Sequence, residues 1–236
     1  NNTTKVSYIS TSKMFFFIIP FFILSTVDRN NFRGCKDMRF CRENQHVTNK
    51  WAVDLSSVQN SNSKITMNLL LNESPANLQL MIYTLATGGI RFRVTPLEKE
   101  TFNRYDLSQN ENVINQKVIN DILPLEYSID ASQIHINAEN YQGLKLQIDS
   151  NPLKIYIKRN ENILTIINGR GQFIFEHHNT TTIPPEIFNG FTDHIKNGPT
   201  AVGADILFPD DVKLSGLSER ASPLNLADTF NQDSEN

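Results

Sequence analysis

The middle of the chain alternates apolar and polar residues with a period of two. Residues 64–71 read KITMNLLL, 77–85 read NLQLMIYTL and 89–94 read GIRFRV. The alternation is clearest from 132 to 177, where SQIHINA, LKLQID, LKIYIKR, ILTIING and QFIFEH follow one another. Successive side chains of a strand point to opposite faces, so these segments predict strands with one buried and one wet face. In LKIYIKR, Leu153, Ile155 and Ile157 share one side, while Lys154, Tyr156 and Lys158 share the other. Ser150-Asn151-Pro152, Asn160-Glu161-Asn162 and Asn168-Gly169-Arg170-Gly171 stand between the segments and read as tight turns, the last as a hairpin turn. Short strands joined this way form an antiparallel meander. Many of them with little helical periodicity predict an all-β fold, an antiparallel β-sandwich. The one helical candidate is 112–122. Residues 95–112 and 178–197 read as loops, the second around Pro184-Pro185.

Ahead of this pattern lies MFFFIIPFFIL (residues 14–24). Its length suits the apolar region of a signal peptide and falls short of the roughly 20 residues that span a bilayer. Lys13 supplies a positive flank, and Ser25 and Thr26 a neighbourhood for cleavage. A buried strand or helix is the alternative, which Pro20 and the phenylalanine run disfavour. The expected organisation is an upstream extension of uncertain role (1–13), a signal peptide (14–27), a cysteine-containing segment (28–50), a β-sandwich (51–220) and a truncated loop (221–236). The mature protein is then expected in the secretory pathway, soluble and lumenal or extracellular.

The cysteine segment carries both cysteines of the chain, Cys35 and Cys41. Behind a secretory signal, such a pair reads as a disulfide more readily than as two free thiols. Asn72-Glu73-Ser74 and Asn179-Thr180-Thr181 are sequons for N-glycosylation, the first weakened by Pro75. A net charge of −3, from 22 basic and 25 acidic residues, gives no basic excess for nucleic acid. The five histidines, His46, His135, His177, His178 and His194, do not form a metal-binding motif, so neither metal nor cofactor is expected. The glycines of 168–171 precede a strand and not a helix, which excludes a phosphate loop. Asp210-Asp211 and Glu98/Glu100 are paired carboxylates but read as solvated turns rather than a glycosidase pair. The residues alone thus describe a secreted or lumenal β-sandwich without a visible catalytic centre.

The flanks of the cysteines say more. Val27-Asp28-Arg29-Asn30-Asn31-Phe32 leads to Cys35, and Phe40-Cys41-Arg42 follows. This resembles the mature amino terminus of glycoside hydrolase family thirty-one, in particular its endoplasmic-reticulum glucosidase II α subunits. Residues 152–177, FTDHIKNGPTAVGADILFP (191–209) and GLSERAS (216–222) are similar to later blocks of that family, in the same order. The resemblance implies a galactose-mutarotase-like sandwich ahead of a (β/α)8 catalytic barrel. It also implies a retaining exo-α-glucosidase that removes α-1,3-linked glucose from N-linked glycans in the endoplasmic reticulum, with a non-catalytic β subunit as partner. The catalytic aspartates would lie on the barrel, so none is assigned here. Glu219 and Arg220 match the family's G-x-x-E-R-A motif and are expected either to hold the domain in place or to lie near the sugar.

Overall fold

The computed structural model describes residues 32–48, 50–61, 64–98, 115, 117–118, 122–138, 143–177, 183–194, 200–209, 213–216 and 224–226. The apolar segment 14–24 precedes these. The alternation along the chain resolves into two antiparallel sheets. In the first, β1 (Trp51–Asn60), β2 (Lys64–Leu71), β3 (Ser74–Leu85) and β4 (Ile90–Pro96) are neighbours in that order, and the short β5 (Ile122–Leu123) pairs with the end of β3. In the second, β6 (Glu126–Asp130), β7 (Gln133–Ala138), β8 (Leu144–Ser150), β9 (Leu153–Arg159) and β10 (Asn162–Ile167) form the expected meander.

Register decides which side chains meet. Ile65 stands opposite Ile82, Met67 opposite Leu80 and Leu69 opposite Leu78, so one face of the first sheet is continuously aliphatic. Ile134 opposite Ile148, and Ile148 opposite Ile155, do the same for the second. The two faces close on one core with Trp51, Val53, Ile136, Leu146 and Leu153. Full burial of each such side chain is worth roughly 1.5–3 kcal/mol. Leu153 and Ile155 are buried as their alternation predicts, with Lys154 and Tyr156 on the wetter side.

The structure adds to or departs from the sequence reading at several places. β1 carries no clean alternation because its register shifts between Asp54 and Gln59, and a bulge breaks the period of two. Residues 178–197 are not wholly loop: β12 (Glu186–Phe188) and β13 (Phe191–Asp193) form a hairpin. Its turn is Asn189-Gly190, both at positive φ (48° and 81°), which suits a type I′ turn. Finally, Asn168–Gly171 is not a hairpin turn. It leads from β10 to β11 (Ile174–Phe175), and β11 pairs with β14 (Val202–Gly203) instead of returning along β10. The neighbour that β10 gains beside β9 is β15 (Ile206–Leu207). Of the helical candidate 112–122, Ile122 opens β5, and most of the rest lies outside the described residues.

Candidate functional site

Three stretches separated in sequence meet at one end of the sandwich: the cysteine segment, residues 168–177 and residues 200–205. The cysteine segment is a single 3-10 turn (Cys35–Asp37) followed by α1 (Arg39–Asn44). A helix this short does not persist on its own. It is held by the Cys35–Cys41 disulfide, whose Cα atoms are 5.1 Å apart, and by contacts to the body. The Arg39 backbone N–H donates to Glu186 Oε1 at 2.6 Å. The Arg39 guanidinium bonds Glu43 Oε2 at 2.8 Å and Glu176 Oε1 at 2.8 Å. Burial works against the charge of Arg39, but its hydrogen bonds to Glu176 and Glu43 outweigh that and hold its pKa above the ordinary value. Glu176 also accepts from the Ala201 N–H at 2.8 Å, which ties residue 201 into the same knot.

Arg33 fixes the β12–β13 hairpin. It reaches Glu186 Oε2 at 3.2 Å and Asp193 Oδ2 at 2.5 Å, and its guanidinium stacks on the Phe188 ring at 5.5 Å. Glu186 faces Asp193 across the hairpin, so one arginine bridges both strands. Gly203 completes the contact from the other side. A Cβ there would stand 3.2 Å from Phe40 Cζ, so the absence of a side chain lets the Phe40 ring approach.

Asp205 closes the joint. Its carboxylate accepts from the Arg170 N–H at 2.7 Å and the Gln172 N–H at 3.0 Å, and its carbonyl accepts from the Asn168 N–H at 2.9 Å. Asn168 is buried with φ 59°, a conformation that asparagine tolerates better than most residues. Its amide donates to the Leu153 carbonyl at 2.8 Å and accepts from the Phe173 N–H at 2.8 Å. Trp51 then donates Nε1–H to the Phe173 carbonyl at 2.6 Å and packs its ring edge-on at 4.9 Å. Arg33, Arg39, Glu176, Glu186, Asp193 and Asp205 are all committed to partners within the fold. Among the described residues of this joint the arrangement positions segments and shows no poised acid–base pair or nucleophile.

A further polar concentration among the described residues is a groove of about 570 Å³ on the outer face of the second sheet. His135, Lys145, Gln147, Lys158 and Glu161 line it. The Lys145 ammonium bonds Glu161 Oε1 at 3.1 Å and holds that carboxyl below its usual range, with a smaller share from Lys158. Lys158 donates to Gln147 Oε1 at 2.7 Å, and Gln147 donates to Asp149 Oδ1 at 3.0 Å. Neighbouring Tyr156 is raised above its ordinary pKa by burial and by the charge and hydrogen bond of Asp149.

Against this geometry, the sequence-derived site residues fall as follows. Cys35 and Cys41 are bonded. Asn72 is exposed in the β2–β3 turn with φ 50°. Asn179, Glu219 and Arg220 lie outside the described residues, as do Asp210 and Asp211. His177 bonds the Ala76 carbonyl at 3.2 Å, pinning the end of β11 to β3. Among the described residues, no group of three or more His, Cys, Asp or Glu is placed to hold a metal, and no helix is long and apolar enough to cross a membrane. Sequence reasoning missed Arg33, Arg39, Glu176 and Asp205. Their one signal was position, since each sits inside or beside a block that carries the family resemblance.

Comparison with known proteins agrees with the fold. The profile of the glycosyl hydrolase 31 N-terminal galactose mutarotase-like domain matches residues 79–235. Neutral alpha-glucosidase C of Homo sapiens is 24% identical over an alignment of 238 residues, covering 88% of this chain and 25% of that protein. The crystal structure of an ER glucosidase II heterodimeric complex, of catalytic subunit and binding domain of regulatory subunit, superposes with a TM-score of 0.71 at 19% identity. It covers 86% of this chain and 26% of that one. A Glc1Man2-bound glucosidase II alpha subunit gives a TM-score of 0.71 at 18% identity, over 86% of this chain and 25% of its own. The chain spans about a quarter of the length of these relatives. With its antiparallel sandwich and a profile match across most of its length, the chain belongs to the glycosyl hydrolase 31 N-terminal galactose mutarotase-like domain family.

Proposed function

We propose that this chain is the amino-terminal sandwich of an endoplasmic-reticulum α-glucosidase that trims α-1,3-linked glucose from N-linked glycans. The match of the family profile over residues 79–235 carries this reading, and the disulfide-closed segment ahead of it supports the endoplasmic-reticulum branch. Retaining hydrolysis needs two carboxyl groups about 5–5.5 Å apart with one able to protonate the leaving group. The carboxylates of the joint are bound to arginines or backbone amides, so the chemistry is assigned to a barrel outside this sequence and the sandwich to a supporting role. Glu219 and Arg220 are assigned to the approach to that barrel, either holding the domain or lining the sugar site. A non-catalytic β subunit is the proposed partner, and the lumen of the endoplasmic reticulum the proposed compartment. Residues 14–27 are assigned as a cleaved signal, and Asn72 and Asn179 as glycan acceptors.

The test is hydrolysis by the full-length gene product co-expressed with a β subunit. Release of glucose from α-1,3-glucosylated oligomannose is expected, while the 236-residue chain alone is inactive. A full-length product that cleaves only other α-glucosides overturns the substrate assignment. Intact-mass measurement of the secreted chain, before and after reduction and deglycosylation, checks signal removal, the disulfide and both sequons. The polar groove favours a second reading, a sandwich that binds carbohydrate without a barrel.

A further inference from the structure

We propose that Asn189, in the turn of the β12–β13 hairpin, is a site of spontaneous deamidation and isoaspartate formation, and that this change loosens the hairpin's hold on the cysteine segment. Asn168, which is also followed by glycine, is protected by the fold.

The sequence holds three Asn-Gly dipeptides, at 168–169, 189–190 and 197–198. The last lies outside the described residues. Glycine after asparagine favours one reaction, because no side chain shields the glycine nitrogen. That nitrogen gives its proton to solvent and attacks Cγ of the asparagine. A C–N bond forms, the Cγ–Nδ2 bond breaks and ammonia leaves. The product is a five-membered succinimide ring. Water then opens the ring at one of its two carbonyls. One opening gives aspartate, and the other gives isoaspartate, with the main chain rerouted through Cβ. Water is the sole co-reactant.

The structure separates two of these dipeptides. Asn168 is buried, and its carboxamide is held at both ends, donating to the Leu153 carbonyl and accepting from the Phe173 N–H, each at 2.8 Å. A Cβ at Gly169 would stand 2.4 Å from Leu207 Cδ1, so this glycine is packed against β15. Attack here requires both hydrogen bonds to break inside the protein, where a polar group left unpaired is costly. Asn189 and Gly190 are exposed, and a Cβ at Gly190 would meet nothing within 4 Å. All of β13 is exposed, and β12 and β13 form a two-stranded sheet of their own. Such a hairpin is marginal in water and opens locally at low cost. Opening lets the Asn189 carboxamide swing onto the Gly190 nitrogen.

The consequence follows from the turn. Phe188 pairs with Phe191 across two residues. Isoaspartate lengthens the main chain between them and adds a carboxylate to a hairpin that already carries Glu186 and Asp193. Arg33 bridges those two, and Glu186 accepts the Arg39 N–H at 2.6 Å. A hairpin out of register therefore weakens the docking of α1.

The test ages the folded 236-residue chain in neutral buffer and digests it with trypsin. Cleavage after Arg159, Arg170, Lys196 and Lys213 puts the three dipeptides in separate peptides. Mass spectrometry reads conversion of amide to acid, and fragment ions assign it within 171–196, which also contains Asn179. Asn189 is expected to convert at least about tenfold faster than Asn168 in the folded chain. In urea, with the fold removed, the two rates converge. No conversion at Asn189, or equal rates in the folded chain, overturns the proposal. A tenfold gap that persists in urea overturns protection by the fold. Hydrogen exchange at the Arg39 amide supplies the second readout, with aged protein compared with fresh. It is expected to speed up on ageing in the parent and not in Asn189→Gln, whose longer side chain must close a six-membered ring and reacts far more slowly. Exchange unchanged by ageing in the parent overturns the link to the cysteine segment.

Discussion

Asp205 and Asn168 show how much of this fold depends on single side chains. Each bond from the Asp205 carboxylate to a backbone N–H is charge-assisted, a class worth roughly 1.5–3 kcal/mol. Asp205→Ala is therefore expected to cost about 3 kcal/mol, measured as a lower urea midpoint at unchanged m-value, with Asp205→Asn costing less. An alanine variant as stable as the parent would remove Asp205 from the joint. Tyr156 makes a different prediction. Its folded-state pKa is raised above the ordinary 10.0, so the native state holds its proton more tightly than the unfolded chain does. That contribution is complete below pH 10 and is lost as pH rises through the folded value. The stability of the parent should fall more steeply above pH 10 than that of Tyr156→Phe, in denaturant melts taken across that range. Neither role was legible beforehand. Asn168-Gly169 has the dipeptide signature of a hairpin, and only the burial of Asn168 against Leu153 and Phe173 turns it into a junction between sheets.

The cysteine segment is short, and its order comes from tertiary contacts. Breaking the disulfide by Cys35→Ser with Cys41→Ser should cost about 2 kcal/mol in the chain-entropy model. Arg39→Ala should cost a similar amount, about 2 kcal/mol, because it removes the charged partner of Glu176 in a partly buried site. Both changes loosen the same segment, so the triple variant should lose less than the sum, a coupling that a mutant cycle in urea measures. Strict additivity would mean that the disulfide and the arginine act independently. The Cys35–Cys41 bond was expected from the apolar segment ahead of it, read as a secretory signal, and from the chain's having only two cysteines. Its docking was not, since Glu176 and Glu186 lie far away in sequence and nothing local links them to Arg39. The β12–β13 hairpin was overlooked for another reason. Pro184-Pro185 suggested a loop and masked the Asn189-Gly190 turn that follows.

The two sheets share one core, so damage at its centre should be felt throughout. Ile148 is fully buried. Ile148→Ala should cost about 2–5 kcal/mol, with one cooperative transition by fluorescence and circular dichroism alike. Two separate transitions would contradict a shared core. The same construction principle explains the proposed division of labour, in which a rigid sandwich carries fixed joints and wet outer faces while the chemistry sits on another domain.

Strand identity, the meander from β6 to β10 and the buried side of β9 followed from local rules. A period of two is a backbone property, and it survives wherever no bulge interrupts it. Family membership was likewise legible, because its blocks are contiguous strings in a fixed order. What required the tertiary structure was every relation between distant segments: Phe40 against Gly203, Arg39 against Glu176, Asp205 beneath the Asn168 turn, and Lys145 opposite Lys158. These depend on how strands pair and how sheets stack. Pairing is set by cooperative burial of the whole core, and no stretch of sequence carries that information alone.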